Sequence, residues 1–169
     1  LIRYMINLLT LYKNRVKRGQ IRNPEQMSEI FFYLLEAIEI ETNLESGKPS
    51  PEEEKLRKIS YFFGSSLRYL QFGNGSLVSA HGGGLGDYSK YVKLLGEIKK
   101  YGDGEEVSNL GFKRLDGARL SMIIDTSPPI YGKRDEIGHA GFSSFELYYG
   151  ANAIFVNCGG GSRFGYQYR

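Results

Sequence analysis

The sequence predicts a multi-domain α+β protein, with helices first and an antiparallel sheet after them. Three observations carry this. Apolar residues recur at spacings of three and four as far as Gln71, glycine-rich turns then interrupt the chain, and from Gly111 the alternation becomes that of strands. With 169 residues, 41% of them hydrophobic, the chain can bury a core sized for one domain or for parts of two.

The first helix carries Ile2, Met5, Ile6, Leu9 and Val16 on one stripe and stops at Gly19. Asn23 is positioned to cap the second, Pro24 suits its first helical position, and Gln26 stands three after the cap as in a capping box. Its buried stripe is Met27, Ile30, Phe31, Leu34, Leu35 and Ile38. The third repeats the device with Ser50 as cap, Pro51 at the first position and Glu53 closing the box. Leu56, Ile59, Phe63, Leu67 and Leu70 form its face. Short polar loops between these helices predict antiparallel hairpins in a larger helical array.

Gly73-Asn74-Gly75-Ser76 is turn chemistry, and His81-Gly82-Gly83-Gly84-Leu85-Gly86 is too glycine-rich for the interior of an element. A short helix is expected over residues 87–99, ahead of the Tyr101-Gly102-Asp103-Gly104 turn. Two hairpins follow. Phe112 to Leu115 and Leu120 to Ile124 flank Asp116-Gly117, and Pro128 and Pro129 close the second strand because neither can donate to a ladder. Phe142 to Tyr149 and Ala153 to Val156 flank Gly150-Ala151-Asn152. Period two places Phe145, Leu147 and Tyr149 on one face and Ser144, Glu146 and Tyr148 on the other, in a sheet with one buried face. The domain division is therefore 1–80 helical, 81–110 linker with a short helix, and 111–169 β-rich.

Composition excludes several functions. The net charge of +3 comes from 22 basic and 19 acidic residues with no basic stripe, so no nucleic-acid partner is expected. The densest basic group, Arg15, Lys17, Arg18 and Arg22, falls at a predicted helix C-terminus, where cations favour the macrodipole. Cys158 stands alone, so the chain has neither an internal disulfide nor a C-x-x-C site. Glu36 and Glu39 interrupt the longest apolar stretch, and no membrane span is expected. His81 before three glycines has no Gly-x-Ser-x-Gly elbow to serve, and reads as turn or linker. The glycines at 159 to 161 lack the Gly-Lys-Ser or Gly-Lys-Thr of a phosphate loop. The chain opens at Leu1 already in a helical pattern and ends just after a glycine cluster, so neighbours are expected on both sides.

The run Gly111-Phe112-Lys113-Arg114-Leu115-Asp116-Gly117-Ala118-Arg119-Leu120, then Ile123-Ile124-Asp125-Thr126-Ser127-Pro128-Pro129, resembles the opening hairpin of the heparinase II/III C-terminal domain. Gly138-His139-Ala140-Gly141-Phe142-Ser143-Ser144-Phe145-Glu146-Leu147 and Phe155-Val156-Asn157-Cys158-Gly159 resemble later parts of it in the same order. Leu67 to Leu77 resembles the end of that family's helical toroid. The resemblance implies the C-terminal helices of an α/α toroid followed by part of an antiparallel β-sandwich. It also implies a polysaccharide lyase of the periplasm or cell envelope that cleaves uronate-containing acidic polysaccharide by β-elimination without a cofactor. A non-catalytic carbohydrate-binding or envelope-assembly protein on the same fold is the alternative, and this piece alone is expected to be inactive.

β-Elimination needs the uronate carboxylate neutralised, a base for the α-carbon proton and an acid for the leaving oxygen. The family draws these from a toroid Asn and Tyr, expected upstream of Leu1, and a sheet His. Where many members carry His-x-His-Ala-Asp, this chain has Ile137-Gly138-His139-Ala140-Gly141. His139 is therefore the first catalytic candidate, and Tyr131, between the prolines and His139, is the second. Asn157, Arg163 and Tyr166 are the substrate-binding candidates; the last two offer a cation and a ring face to an acidic sugar. Asn157 replaces the Asp of a metal-binding branch, and Asn is a poorer ligand for a divalent cation, so no metal is expected.

Overall fold

The computed structural model describes residues 2–44, 48–81, 83, 110–128 and 143–157. Three helices, α1 (Ile2–Lys17), α2 (Pro24–Leu44) and α3 (Pro51–Tyr69), precede four strands, β1 (Phe112–Asp116), β2 (Leu120–Asp125), β3 (Phe145–Tyr149) and β4 (Asn152–Phe155). The helix expected over 87–99 and Phe142 lie outside the described residues, while the strand expected from Phe142 begins only at Phe145, because Ser143 at φ +63° sits in a turn.

Local chemistry sets the helix starts. Asn23 Oδ1 accepts from the backbone N–H of Glu25 at 3.0 Å and of Gln26 at 3.2 Å, and Ser50 Oγ accepts from Glu53 N–H at 3.0 Å. The caps stand as expected, but the partners that would close each box turn elsewhere. Gln26 Oε1 accepts from the Tyr12 hydroxyl at 3.3 Å, and Glu53 Oε1 accepts from Thr42 at 3.2 Å and Arg57 at 2.7 Å. Both exchanges tie neighbouring helices, a gain that a box within one helix cannot supply.

Arg3 near the start of α1 meets Glu52 at the start of α3, whereas Thr42 near the end of α2 meets Glu53. So α1 and α3 run the same way, with α2 opposed to both. Met27, Phe31, Leu34 and Ile38 of α2 and Leu56, Ile59, Phe62, Phe63 and Leu67 of α3 are buried together, while α1 buries only Ile6 and Val16. Full burial of one such side chain contributes about 1.5–3 kcal/mol, so the α2–α3 pair dominates the helical core.

After α3 the chain folds back as a strap. Gln71 and Leu77 form an isolated bridge around the Asn74 turn, where Gly75 at φ +88° takes a conformation that side chains disfavour. The strap buries Phe72, Leu77, Val78 and Ala80 between helices and sheet. Phe72 stacks on Tyr148 with centroids 3.9 Å apart. Arg114 Nη1 donates to the carbonyls of Tyr69 at 3.0 Å and Gln71 at 2.6 Å, fixing β1 to the end of α3.

The sheet is an antiparallel meander in the order β1-β2-β3-β4. Phe112 pairs with Asp125, Ile123 with Glu146 and Leu147 with Phe155, with a register shift between Leu147 and Tyr148. The first hairpin turns later than Asp116-Gly117 suggests. Asp116 still pairs with Ser121, Gly117 N–H donates to the Leu120 carbonyl at 2.7 Å, and Ala118-Arg119 makes the turn.

One face of the sheet packs on the strap and helices, as expected, and it is the more polar face. Ile123, Asp125, Glu146 and Tyr148 are buried, whereas Phe145, Tyr149, Leu120 and Phe155 are 44%, 42%, 46% and 56% exposed. Period two fixes which residues share a face, and partners elsewhere in the chain decide which face is covered.

Candidate functional site

Two buried carboxylates stand on the covered face of the sheet where it meets the helical half. Asp125, the last residue of β2, is 1% exposed, and Glu146, the second of β3, is also 1% exposed. Carboxylates persist in such places only when donors surround them.

Asp125 has three donors. Arg22 Nη1 lies 2.7 Å from Oδ1, His81 Nε2 lies 2.6 Å from Oδ2, and the Ser127 backbone N–H donates to Oδ1 at 3.1 Å. An ionised carboxylate beside a guanidinium only accepts, so His81 carries its proton on Nε2. Arg22 Nη2 also donates to the Pro128 carbonyl at 3.2 Å, and Asn23 Nδ2 donates to the His81 carbonyl at 3.1 Å. His81 adopts φ +49°, a left-handed conformation that β-carbon crowding disfavours, which aims its ring at Asp125.

This corrects one expectation and adds to another. Arg22 belongs to no helix terminus: it is the buried counter-ion of an acid 103 residues away, while Arg15 and Lys17 do occupy the last turn of α1. His81 does lie in a turn, and its ring is part of the buried network as well.

Glu146 is held differently. Its Oε1 accepts from the backbone N–H groups of Ser79 at 2.8 Å and Asn157 at 3.2 Å. Burial pushes its carboxyl above the ordinary range, against the two backbone donors that pull it down. Among the described residues Glu146 Oε2, Ser79 Oγ, His81 Nδ1 and Arg22 Nε are buried without a hydrogen-bond partner.

The topology gives these acids a common consequence. In a four-stranded meander the start of β1, the end of β2, the start of β3 and the end of β4 share one end of the sheet. Three segments leave or enter there, namely 84–109, 129–142 and 158–169. Asp125 secures both roots of the middle one: its carboxylate binds Ser127 N–H, its backbone N–H donates to the Ser144 carbonyl at 2.9 Å, and its carbonyl accepts from Ser143 N–H at 3.1 Å. Glu146 secures the strap at Ser79 and the last segment at Asn157.

Of the residues the sequence singles out, Asn157 is partly buried, with its backbone on Glu146. Tyr131, His139, Arg163 and Tyr166 lie outside the described residues. The braces themselves are too deeply buried to touch a polymer, and their chemistry is that of positioning.

Sequence reasoning missed Arg22, His81, Asp125 and Glu146 as a group. Asp125 after Ile123-Ile124 and Glu146 beside Tyr148 at strand spacing were the available signals, since an acid in an apolar strand needs partners. Among the described residues no group of three His, Cys, Asp or Glu could hold a metal ion, and no helix is long and apolar enough to cross a membrane.

Comparison with known proteins returns one family. Residues 100–169 match the model of the heparinase II/III-like C-terminal domain, a stretch that contains β1 to β4. No curated protein and no solved structure matches the chain. The family match covers the motifs between Gly111 and Gly159 that carried the resemblance, so the C-terminal part of this chain is similar to the heparinase II/III-like C-terminal domain.

Proposed function

We propose that the chain is part of a heparinase II/III-like polysaccharide lyase of the periplasm or cell envelope, cleaving uronate-containing acidic polysaccharide by β-elimination. In this reading α1 to α3 end an α/α toroid, residues 111–169 open a β-sandwich, and the glycan lies between them. The observation that supports it is the family match over residues 100–169, the stretch of sequence that contains Tyr131, His139, Asn157, Arg163 and Tyr166.

In the reaction a base takes the proton on the carbon next to the uronate carboxylate. That electron pair becomes the new C=C bond as the glycosidic C–O bond breaks, and an acid protonates the departing oxygen. His139 is assigned to proton transfer because imidazole titrates near neutrality, with Tyr131 as its partner. Arg163 offsets the glycan's charge, Tyr166 stacks on a sugar ring, and Asn157 lines the same edge. The test replaces His139 by Ala in the full-length protein. Release of unsaturated uronate should stop while glycan binding persists; unchanged release removes His139 from the mechanism.

A second reading is favoured by Ile137 and Gly141, which stand where many family lyases carry His and Asp. It is a carbohydrate-binding or envelope-assembly protein that keeps the fold without the elimination. Saturable binding of uronate glycans by the full-length wild type, with no product, would select it.

A further inference from the structure

We propose that the groove between α1 and α3 binds the carboxylates of an acidic polysaccharide, with Lys13, Lys17 and Lys58 gathered around the Phe62 ring as its cations; the choice of a glycan rests on the lyase reading above. The charges of the helical half are sorted by element. α1 carries Arg3, Lys13, Arg15 and Lys17 and no acid, whereas α2 carries glutamates and no lysine or arginine. The macrodipole accounts for the cations in the last turn of α1, which are Arg15 and Lys17. It does not account for Lys13, one turn earlier, or for Lys58 within α3.

Lys13 Nζ stands 5.5 Å and Lys17 Nζ 5.6 Å from the centroid of the Phe62 ring. Phe62 is 3% exposed, so the lysine stems help to cover the ring while their charged heads stay toward water. Lys58 is exposed one helical turn before Phe62, on the same face of α3. Like charges one turn apart repel, and an anion lying along the groove relieves that repulsion. The ring also holds the two stems in place, so less side-chain freedom is lost when an anion binds. A small anion needs one such cation; three in a row suit a polyanion. Arg15 is outside the site, because it acts with Glu29 of α2 on the Tyr12 hydroxyl.

The groove leads to the junction with the sheet. A β-carbon on Gly19, two residues past Lys17, would lie 3.5 Å from Ser127 Oγ, just after β2. The Tyr69 hydroxyl at the end of α3 accepts from the Arg114 N–H of β1 at 2.9 Å. A polymer with a charge on each repeat can therefore follow the helices toward the half of the chain that carries the family match.

The test measures binding of an alginate oligosaccharide, whose only charges are uronate carboxylates, to the full-length protein at low and high salt. The triple variant Lys13→Met, Lys17→Met, Lys58→Met keeps apolar stems over Phe62 and removes the charges. Exposed ion contacts are individually weak, so losing three together should weaken binding by about ten- to thirtyfold. The gap should close near about 1 M salt, where screening is strong. Arginine at the same three positions keeps the charge and should bind as the wild type does. Should the methionine variant fail to fold, Lys58→Glu on its exposed side chain carries the comparison, with a loss of affinity again expected.

Unchanged alginate affinity in these charge-removing variants would overturn the proposal, as would a loss confined to single-stranded DNA used as a phosphate polyanion. The lyase reading is judged separately. If the wild type binds alginate through the three lysines yet releases no product from any uronate glycan, the lyase reading falls and the groove stands. If product is released while the triple variant binds as the wild type does, the groove falls and the lyase reading stands.

Discussion

Replacing Arg22 by Met removes one side of an ion pair whose side chains are 2% and 0% exposed, with 2.7 Å between Nη1 and Oδ1. Met fills a similar volume, so the loss is chiefly electrostatic: Asp125 stays buried with His81 and Ser127 N–H as its remaining donors, and the Pro128 carbonyl loses its partner. Breaking a buried pair from one side costs about 3–5 kcal/mol. With a urea dependence of about 2 kcal/mol per molar, the unfolding midpoint should fall by about 2 M. Arg3 provides the internal control, because it bonds Glu52 at 3.0 Å while 87% exposed, and its loss should cost about 0–1 kcal/mol. Adding Asp125→Asn to Arg22→Met removes the orphaned charge, so the double variant should be less destabilised than the two single losses added together. The assay is urea unfolding of the wild type, the three single variants and the double variant, followed by circular dichroism. A loss below about 1 kcal/mol for Arg22→Met, or strict additivity in the double variant, would refute the assignment of this pair as the buried tie between helices and sheet.

Two further outcomes follow from the same region. Gly111 lies at φ +84°, and a β-carbon there would run into Ser127 Oγ and come within 2.8 Å of Arg22 Cδ. Gly111→Ala should therefore destabilise by about 2–4 kcal/mol, combining left-handed strain with overpacking, and a midpoint shift near zero in the same urea assay would contradict it. Glu146→Gln keeps an oxygen for the Ser79 and Asn157 amides while removing the ionisation that burial opposes. A carboxyl raised in the folded state adds stability at low pH and loses it as pH rises through the folded value. The variant should accordingly gain on the wild type with increasing pH above the ordinary carboxyl range, and a gap that narrows would show that Glu146 is held ionised.

Local chemistry made the helices and hairpins readable. Asn23, Pro24, Ser50 and Pro51 act within one turn, and the apolar stripes of α2 and α3 are visible at their spacing. What the sequence hid depends on partners far along the chain. The covered sheet face is the one with Asp125 and Glu146, although Phe145, Leu147 and Tyr149 form the more apolar set, because strap and helices supply the acids with donors. Arg22 and His81 meet Asp125 across 103 and 44 residues, distances over which no periodicity operates. The turn at Ala118-Arg119 was displaced because Asp116 remains in the ladder opposite Ser121. The family resemblance was legible since its motifs lie in β1, β2 and β3 and in the segments between them.

The most direct measurement of the central claim is mass spectrometry of the oligosaccharides that the full-length protein releases from a uronate polysaccharide. β-Elimination leaves a C=C bond at the new non-reducing end, so each product that carries such an end should be one water lighter than the corresponding hydrolysis product, and the signal should vanish with His139→Ala. Products carrying the mass of added water, or glycan bound and recovered uncut, would contradict the lyase account.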